Sequence, residues 1–389
     1  MNTEPSLEFS AGLPLKRQAS SIFITVAEPS ADQHAAHLVT QLRQLSPDLN
    51  IEAIGGEKMR QAGAIIHHES VSRAAMGWRA ALRAGEVARW LRWTDNYFTQ
   101  HKPALHIACD SWSMNWRFAR LARRHGIPVL YYIAPQTWAS REGRIDKIRR
   151  YVNKLACILP FEEQYFRQHR IDATYVGHPL FDELPSNPVP IKKFLATAPI
   201  IGLLPGSRAS ISAHNFPHQL DVARRIAKVF PAAKFLVPTT PVTHEIVARH
   251  AANFPNLTID LYGFDRVVPQ CDFCITVSGT AALHIAAYNI PFIVVYRVNP
   301  LHWHFVGRWV VKTRTYSLVN ILSGRPDKIV PEFIPWYGSN KIVADAVIDF
   351  LQHPEKMTAQ KRALQEMLRP LARPGAAKNV AELALEMIR

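Results

Sequence analysis

Short apolar runs alternate with amphipathic stretches along most of the chain, a rhythm that predicts buried parallel strands each followed by a helix. From Ser21 the run Ile22 to Val26 passes through Ala27-Glu28-Pro29-Ser30-Ala31-Asp32 into a helix near Gln33 to Leu45. A strand at Ile51 to Ile54 with Gly55-Gly56, a helix near Lys58 to Ala62, a short strand at Ile65-Ile66 and a tryptophan-rich helix come next. The apolar run Leu105 to Cys109 ends at Asp110 and leads into a helix over Asn115 to His125. Val129 to Ile133 is a further strand, ending at Ala134-Pro135-Gln136-Thr137-Trp138. Residues 1 to 20 are polar and aperiodic, and the pattern predicts a disordered tail there.

The stretch Pro185-Ser186-Asn187-Pro188-Val189-Pro190 interrupts this rhythm, because proline at that density continues neither a helix nor a central strand. Alternation then restarts with Ile200 to Leu204, a helix near His218 to Val229, Lys234 to Val237, a helix near His244 to His250, Leu257 to Leu261, Phe273 to Val277, a helix from Thr280, and Phe292 to Tyr296. The expected fold is α/β: two Rossmann-like domains, residues 21–185 and 191–369, facing each other across a ligand cleft. A helix over about 370–389 is expected to pack back on the first domain.

Two glycine turns stand out in the second half, Leu203-Leu204-Pro205-Gly206-Ser207-Arg208 and Val277-Ser278-Gly279-Thr280-Ala281-Ala282-Leu283. Each follows an apolar run and opens a helix. Backbone N–H groups and helix N-termini at the C-terminal edge of a parallel sheet hold a diphosphate without a metal, so Gly206, Ser207, Ser278, Gly279 and Thr280 read as substrate-binding. Arg208 adds a planar cation suited to two-point phosphate contact and to a leaving group as charge develops on it. The competing readings are tight βα connections and a surface ion pair.

Composition narrows the partners. Lys plus Arg exceeds Asp plus Glu by 46 to 31, a net charge of +15, so the surface attracts something anionic. Zinc-finger spacing, an RNP-like aromatic motif and a continuous basic tract are all missing from the sequence, which speaks against nucleic acid. Arginines instead sit beside tryptophans, at Trp78, Arg79, Arg83, Arg89, Trp90, Arg92 and Trp93 and again from Trp303 to Arg314. Trp90, Trp93 and Tyr97 share a helix face, a pattern that suits an anionic membrane interface or, equally, a core with a basic rim. The four cysteines, Cys109, Cys157, Cys271 and Cys274, have neither disulfide-framework nor zinc spacing and read as buried thiols. No leading segment resembles a signal peptide and no apolar run reaches membrane-spanning length, which places the chain in the cytoplasm with peripheral membrane contact.

Asp110, where a strand meets its loop, is the candidate general base, with helix capping as the alternative. Glu28, Ser30 and Asp32 crowd the first βα turn and either cap the helix or orient a substrate. His178, in Gly177-His178-Pro179-Leu180, lies just before the linker and is a candidate phosphate contact or proton donor, although a lone histidine is more often structural. Asn320 and Arg325, in Ser317-Leu318-Val319-Asn320-Ile321-Leu322-Ser323-Gly324-Arg325-Pro326, form a polar loop between apolar residues. The seventeen histidines show no convincing ligand spacing, so neither a metal nor another cofactor is expected.

In order along the chain, these stretches resemble the lipid A disaccharide synthase family. The resemblance rests on Ala27-Glu28-x-Ser30-x-Asp32, Ile54-Gly55-Gly56 with Met59, Met76-Gly77, Asp110 with Asn115, Tyr132-Ile133-x-Pro135-x-x-Trp138-Ala139 and Leu159-Pro160-Phe161-Glu162. It continues through Gly177-His178-Pro179-Leu180, the two glycine turns, Tyr296-Arg297, Ser317-Leu318-x-Asn320-x-Leu322-x-Gly324-Arg325 and Val330-Pro331-Glu332. It implies a GT-B fold and an inverting hexosyl transfer, without a metal, at the cytoplasmic face of the inner membrane. The UDP-activated acylated donor would be UDP-2,3-diacylglucosamine and the phosphorylated acylated acceptor 2,3-diacylglucosamine 1-phosphate. By the same resemblance Asp110 is the base, Arg208 the diphosphate contact and Asn320 a residue of the late loop. A homodimer stays open. The chain departs from the family pattern at Ala27 and Ala31, where the family has glycines, at Trp112 and Ser113, at Ile211, and at His284, which stands in place of a glutamate suited to ribose hydroxyls. A UDP-sugar 2-epimerase-like enzyme and a non-catalytic lipid- or nucleotide-binding paralogue are the alternative functions.

Overall fold

The computed structural model describes residues 21–71, 80–139, 142–184, 197–298 and 315–389. The expected disordered tail, the proline-rich linker and the basic aromatic segment from Trp303 to Arg314 lie outside the described residues.

Seven strands form the first sheet: β1 (Ser21–Thr25), β2 (Asn50–Gly55), β3 (Ile65–Glu69), β4 (Leu105–Cys109), β5 (Val129–Tyr132), β6 (Lys154–Cys157) and β7 (Ala173–Tyr175). They run parallel in the order β3-β2-β1-β4-β5-β6-β7. Every residue of β4 and β5 is buried, as expected of strands covered by helices on both faces. The second sheet comprises β8 (Ile200–Leu204), β9 (Lys234–Thr239), β10 (Leu257–Leu261), β11 (Phe273–Thr276), β12 (Phe292–Arg297) and β13 (Glu332–Trp336). These are also parallel, in the order β10-β9-β8-β11-β12-β13. In each sheet the order reverses beside the first strand, between β1 and β4 and between β8 and β11, and this opens a crevice at the strand C-termini.

Helices α1 (Pro29–Leu45), α2 (Glu57–Gln61), α3 (Ala80–His101), α4 (Trp112–Arg124), α5 (Ile145–Tyr151), α6 (Pro160–Gln168) and α7 (Leu180–Glu183) accompany the first sheet. With the second run α8 (Ala209–Val229), α9 (Pro241–Ala251), α10 (Phe264–Val267), α11 (Thr280–Ala287), α12 (Leu318–Ser323), α13 (Asn340–Gln352) and α14 (Pro354–Leu368), before the terminal α15 (Ala376–Met387). α1 starts at Pro29 rather than near Gln33, because proline fits the first helical position where no N–H is needed. α8 begins nine residues before the expected His218 and runs through Pro217. Its opening turns bury Ser212, Asn215 and Phe216, and this packing outweighs the hydrogen bond that proline removes.

α15 returns to the first sheet. Val380, Ala381 and Ala384 join Ala35, Leu38, Val39 and Leu42 of α1 in one core. Asp182, at the end of the Gly177-His178-Pro179-Leu180 segment, accepts hydrogen bonds from the N–H groups of Gly375, Ala376 and Ala377 and so closes the N-terminus of α15. Gly177 makes this approach feasible: its φ is +98°, and a Cβ there would sit 3.4 Å from the Ala376 Cβ.

On α3, Trp90 and Trp93 pack against the first sheet's core and Tyr97 is buried within it, Trp93 stacking on Tyr97 at 5.0 Å and Tyr97 lying 5.3 Å from Phe23. Trp90, Trp93 and Tyr97 therefore face the core, while Trp78, Arg79 and the Arg83 side chain lie outside the described residues. All four cysteines are buried and none forms a disulfide. Among the described residues no helix is long and apolar enough to cross a membrane.

Candidate functional site

The C-terminal ends of the two sheets enclose a cavity of about 850 Å³. From the first sheet it takes Ser30 and His34 on α1, Asp110 after β4, the Ile133 to Gln136 turn after β5, Glu162 on α6, and His178 and Glu183 after β7. From the second it takes Pro205, Gly206 and Ser207 after β8, Thr239 and Thr240 after β9, Tyr262 and Phe264 after β10, and Thr280 and His284 on α11.

Asp110 is held in a conformation that an L-residue seldom adopts. Its φ is +51° and that of Ser111 is +45°, each in the left-handed region that disfavours a Cβ. Three hydrogen bonds over-determine the turn. The Asp110 N–H donates to the Tyr132 carbonyl at 2.9 Å, and its own carbonyl accepts from Asn115 Nδ2 at 2.8 Å and from the Tyr131 hydroxyl at 2.6 Å. Asn115 is in turn fixed from the core. Its Oδ1 accepts from Thr25 Oγ1 at 2.9 Å, so Thr25 must accept from His106 Nε2 at 3.0 Å. That assignment leaves His106 Nδ1 bare, as its lack of a partner requires, and burial lowers the ring's pKa to about 3.

Capping does not explain the Asp110 carboxyl group. Ser111, not Asp110, occupies the N-cap of α4, and no side chain caps that helix. Burial raises the Asp110 pKa most; the Ser111 N–H opposes this, Glu28 adds to it, and His34 and Arg208 counter it. A desolvated carboxylate with a raised pKa, facing a cavity, is suited to proton transfer.

Across the cleft, Gly206 has φ +103°, and a Cβ there would meet Ile211 and Val277 methyls at 3.0 and 3.1 Å, so this turn requires glycine. Arg208 is exposed at the N-cap of α8, close enough for its charge to act on Asp110. Thr280 opens α11 and lines the cavity. His284 lies one turn further on, its Nε2 2.9 Å from Asp265 Oδ1 and its ring between Phe264 and Tyr288 at 4.4 and 5.4 Å. The structure thus brings a carboxylate, Asp265, to the histidine that stands where the family pattern has glutamate.

The remaining candidates divide. His178 lines the cavity; its Nδ1 accepts from the Leu180 N–H at 3.2 Å and burial lowers its pKa to about 3, so the neutral ring keeps Nε2–H as a donor. Glu28 is half-buried and makes no cap bond to α1 although it holds the N-cap position. Asp32 is not among the residues lining the cavity and accepts from the N–H groups of Gly56 and Lys58 at 2.8 and 3.1 Å, which secures α2. Ser278 donates to the Tyr316 carbonyl at 3.1 Å, and Gly279 is the N-cap of α11, with open space where a Cβ would stand. Asn320 is buried; its Nδ2 donates to the Val330 carbonyl at 2.8 Å and to Glu332 Oε1 at 2.9 Å, and its Oδ1 accepts from the Val330 N–H at 3.0 Å, so it braces the late loop from inside. Arg325 projects outward, 4.0 Å from Glu366, and does not line the cavity.

Sequence reasoning missed several cavity residues. Glu162 is 1% exposed, accepts from Trp138 Nε1 at 3.0 Å and from the Leu159 N–H at 3.1 Å, and is pushed up to about 7 by burial. The Leu159-Pro160-Phe161-Glu162 motif was its one available signal. His34 and Glu183 are distant in sequence and neither sits in a recognisable motif.

Two parallel α/β units whose strand C-termini face each other across a cavity define a GT-B-type fold. Solved structures agree: the UDP complex of MnaA from S. aureus aligns with a TM-score of 0.64 over 95% of this chain and 97% of its own, at 11% identity. UDP-GlcNAc 2-epimerase from Neisseria meningitidis bound to UDP-GlcNAc aligns at 0.62 over 94% and 100%, at 10% identity. At such identities the likeness is one of fold. Within that class, the lipid-A-disaccharide synthetase family model matches residues 22–387, and the chain belongs to that family. Lipid-A-disaccharide synthase of Geobacter sulfurreducens is 32% identical over 94% of this chain and 97% of its own length, and that of Anaeromyxobacter sp. (strain K) is 33% identical over 96% and 99%. The protein is accordingly a hexosyltransferase of lipid A synthesis.

Proposed function

We propose that the enzyme transfers the 2,3-diacylglucosamine unit of its UDP conjugate to the 6-hydroxyl of 2,3-diacylglucosamine 1-phosphate in one inverting displacement. The observation that carries this reading is the half-buried Asp110 carboxyl group, which lines the cavity opposite the Gly206-Ser207 turn, with Arg208 close enough for its charge to act on it. As the acceptor oxygen bonds to the anomeric carbon, the bond from that carbon to UDP breaks and Asp110 takes the hydroxyl proton. The N-termini of α8 and α11 and the Arg208 guanidinium receive the charge that grows on the departing diphosphate. His178 offers a neutral N–H donor to the same space. His284, steadied by Asp265, contacts the nucleotide at the far end, where Tyr262 and Phe264 supply aromatic surface.

Anionic lipid is the partner we infer for the basic face of α4 and α5. Arg117, Arg120, Arg124, Lys147 and Arg150 are exposed there, and Arg117 and Lys147 flank Trp116 at 5.0 and 4.2 Å. α4 begins at Trp112, which lines the cavity, so this face leads to the site. Such attachment places acylated substrates within reach of the cleft at the cytoplasmic face of the inner membrane.

Asp110→Asn tests the mechanism. It keeps the shape of the turn and removes the base, so acceptor-dependent UDP release should fall roughly 10² to 10⁴-fold while calorimetry shows unchanged donor binding. Retained turnover would remove Asp110 from this role.

A further inference from the structure

The phosphate of the acceptor has no partner in the mechanism above. Three carboxyl groups line the cavity, Asp110, Glu162 and Glu183, and all of them stand on the side of the first sheet. The histidines on that side do little to offset them. Burial keeps His178 neutral, its pKa lowered to about 3, and His34 Nδ1 is already engaged by Glu183 Oε1 at 2.6 Å. Among the described residues that line the cavity, Arg144 is the one lysine or arginine.

The fold sets Arg144 beside the base. β4 and β5 are neighbours, and the Asp110 N–H donates to the Tyr132 carbonyl at 2.9 Å, so the connection that follows β5 starts alongside Asp110. That connection lines the cavity at Ile133 to Gln136 and again at Arg144, the N-cap of α5. α4 starts just after Asp110 and α5 just after Arg144, and the two helices pack together, with Lys147 over Trp116 at 4.2 Å. Trp112, at the head of α4, stands 5.3 Å from Tyr131, whose hydroxyl donates to the Asp110 carbonyl at 2.6 Å.

The chemistry of the acceptor calls for a cation on this wall. In a hexose 1-phosphate, C1 and C5 flank the same ring oxygen, and C5 bears the 6-hydroxymethyl group. An acceptor whose 6-hydroxyl meets Asp110 therefore holds its phosphate close to the same wall. Three carboxyl groups repel a phosphate there, the more strongly where water is excluded, unless a cation answers them. A guanidinium supplies that charge together with two parallel N–H donors that match two phosphate oxygens.

We propose that Arg144 binds the 1-phosphate of the acceptor and so selects phosphorylated over unphosphorylated acceptors. The proposal rests on the acceptor being the sugar phosphate given above, with its 6-hydroxyl at Asp110. The donor diphosphate belongs to the Gly206 turn on the opposite wall, so Arg144 serves the acceptor alone.

The test compares kcat/KM for 2,3-diacylglucosamine 1-phosphate and for 2,3-diacylglucosamine in wild type, Arg144→Gln and Arg144→Lys. Neutral detergent micelles carry the substrates, so that no lipid headgroup supplies a phosphate. Thermal melts establish folding, and calorimetry with UDP reads the donor site. With the phosphorylated acceptor, Arg144→Gln should lose about 10 to 100-fold and Arg144→Lys less. With the unphosphorylated acceptor wild type should be slower by a similar factor, and Arg144→Gln should then cost little more, because the two deletions remove one interaction. Equal losses with both acceptors would overturn the proposal, as would weakened UDP binding, which would assign Arg144 to the donor. Should wild type release no UDP, the assignment of the reaction has failed independently, and Arg144 is then read by direct binding of glucosamine 1-phosphate in the presence of saturating UDP. Arg144→Gln should weaken that binding about tenfold or more; equal affinity for both proteins, or no binding by wild type, would refute the contact.

Discussion

Glu162→Gln should make the protein more stable in mild alkali and less stable in mild acid. Glu162 is 1% exposed, and burial lifts its carboxyl group from 4.5 to about 7. A group whose folded pKa lies above its unfolded one contributes stability that is complete below about 4.5 and is lost as pH climbs through about 7. At about 1.4 kcal/mol per pH unit, ionising Glu162 in place costs about 3 kcal/mol by pH 8. Glutamine avoids that cost and keeps the bond from Trp138 Nε1 through its amide oxygen. Its NH₂ cannot accept the Leu159 N–H now held at 3.1 Å, which sets about 1 kcal/mol against the variant at all pH values. The net expectation is a variant about 2 kcal/mol more stable at pH 8, nearly equal to wild type at pH 5, and about 1 kcal/mol less stable at pH 4 and below. Urea denaturation followed by tryptophan fluorescence at several pH values between about 4 and 8 measures both arms. Parallel stability curves for the two proteins would refute the reasoning, because they would mean that Glu162 titrates normally in the folded state.

Two further outcomes follow from the geometry. Arg208→Ala should lower kcat roughly 10² to 10³-fold and Arg208→Lys by less, since lysine retains the charge but not the planar fork; equal rates for all three proteins would exclude Arg208 from leaving-group stabilisation. Asp182→Ala should free the N-terminus of α15 at a cost of about 2 kcal/mol and speed amide exchange selectively in residues 376–387, and unchanged protection there would show that core packing alone holds the helix.

Much of the fold was legible because strands buried on both faces leave unbroken apolar runs, as at Leu105 to Cys109 and Ile200 to Leu204. The two glycine turns and Asp110 were legible for a related reason: in a parallel sheet, whatever follows a strand lies at the edge where sites form. Contacts between distant segments were not. Nothing near Asp32 shows that its carboxylate secures α2, and nothing near Asn320 shows that it braces Val330 and Glu332 from within. The His34–Glu183 pair joins residues 149 positions apart, and only the closing of the sheet brings them together. Trp90, Trp93 and Tyr97 form the same helical stripe whether they meet lipid or a sheet, so periodicity left two readings that packing then separated.

The most direct test of the proposed reaction is UDP release from UDP-2,3-diacylglucosamine, with and without 2,3-diacylglucosamine 1-phosphate, with the lipid product analysed by mass spectrometry and its new linkage by NMR. Release that depends on the acceptor, together with a β-1,6-linked disaccharide 1-phosphate, is the predicted result. Donor binding by the folded protein with no acceptor-dependent release would contradict it.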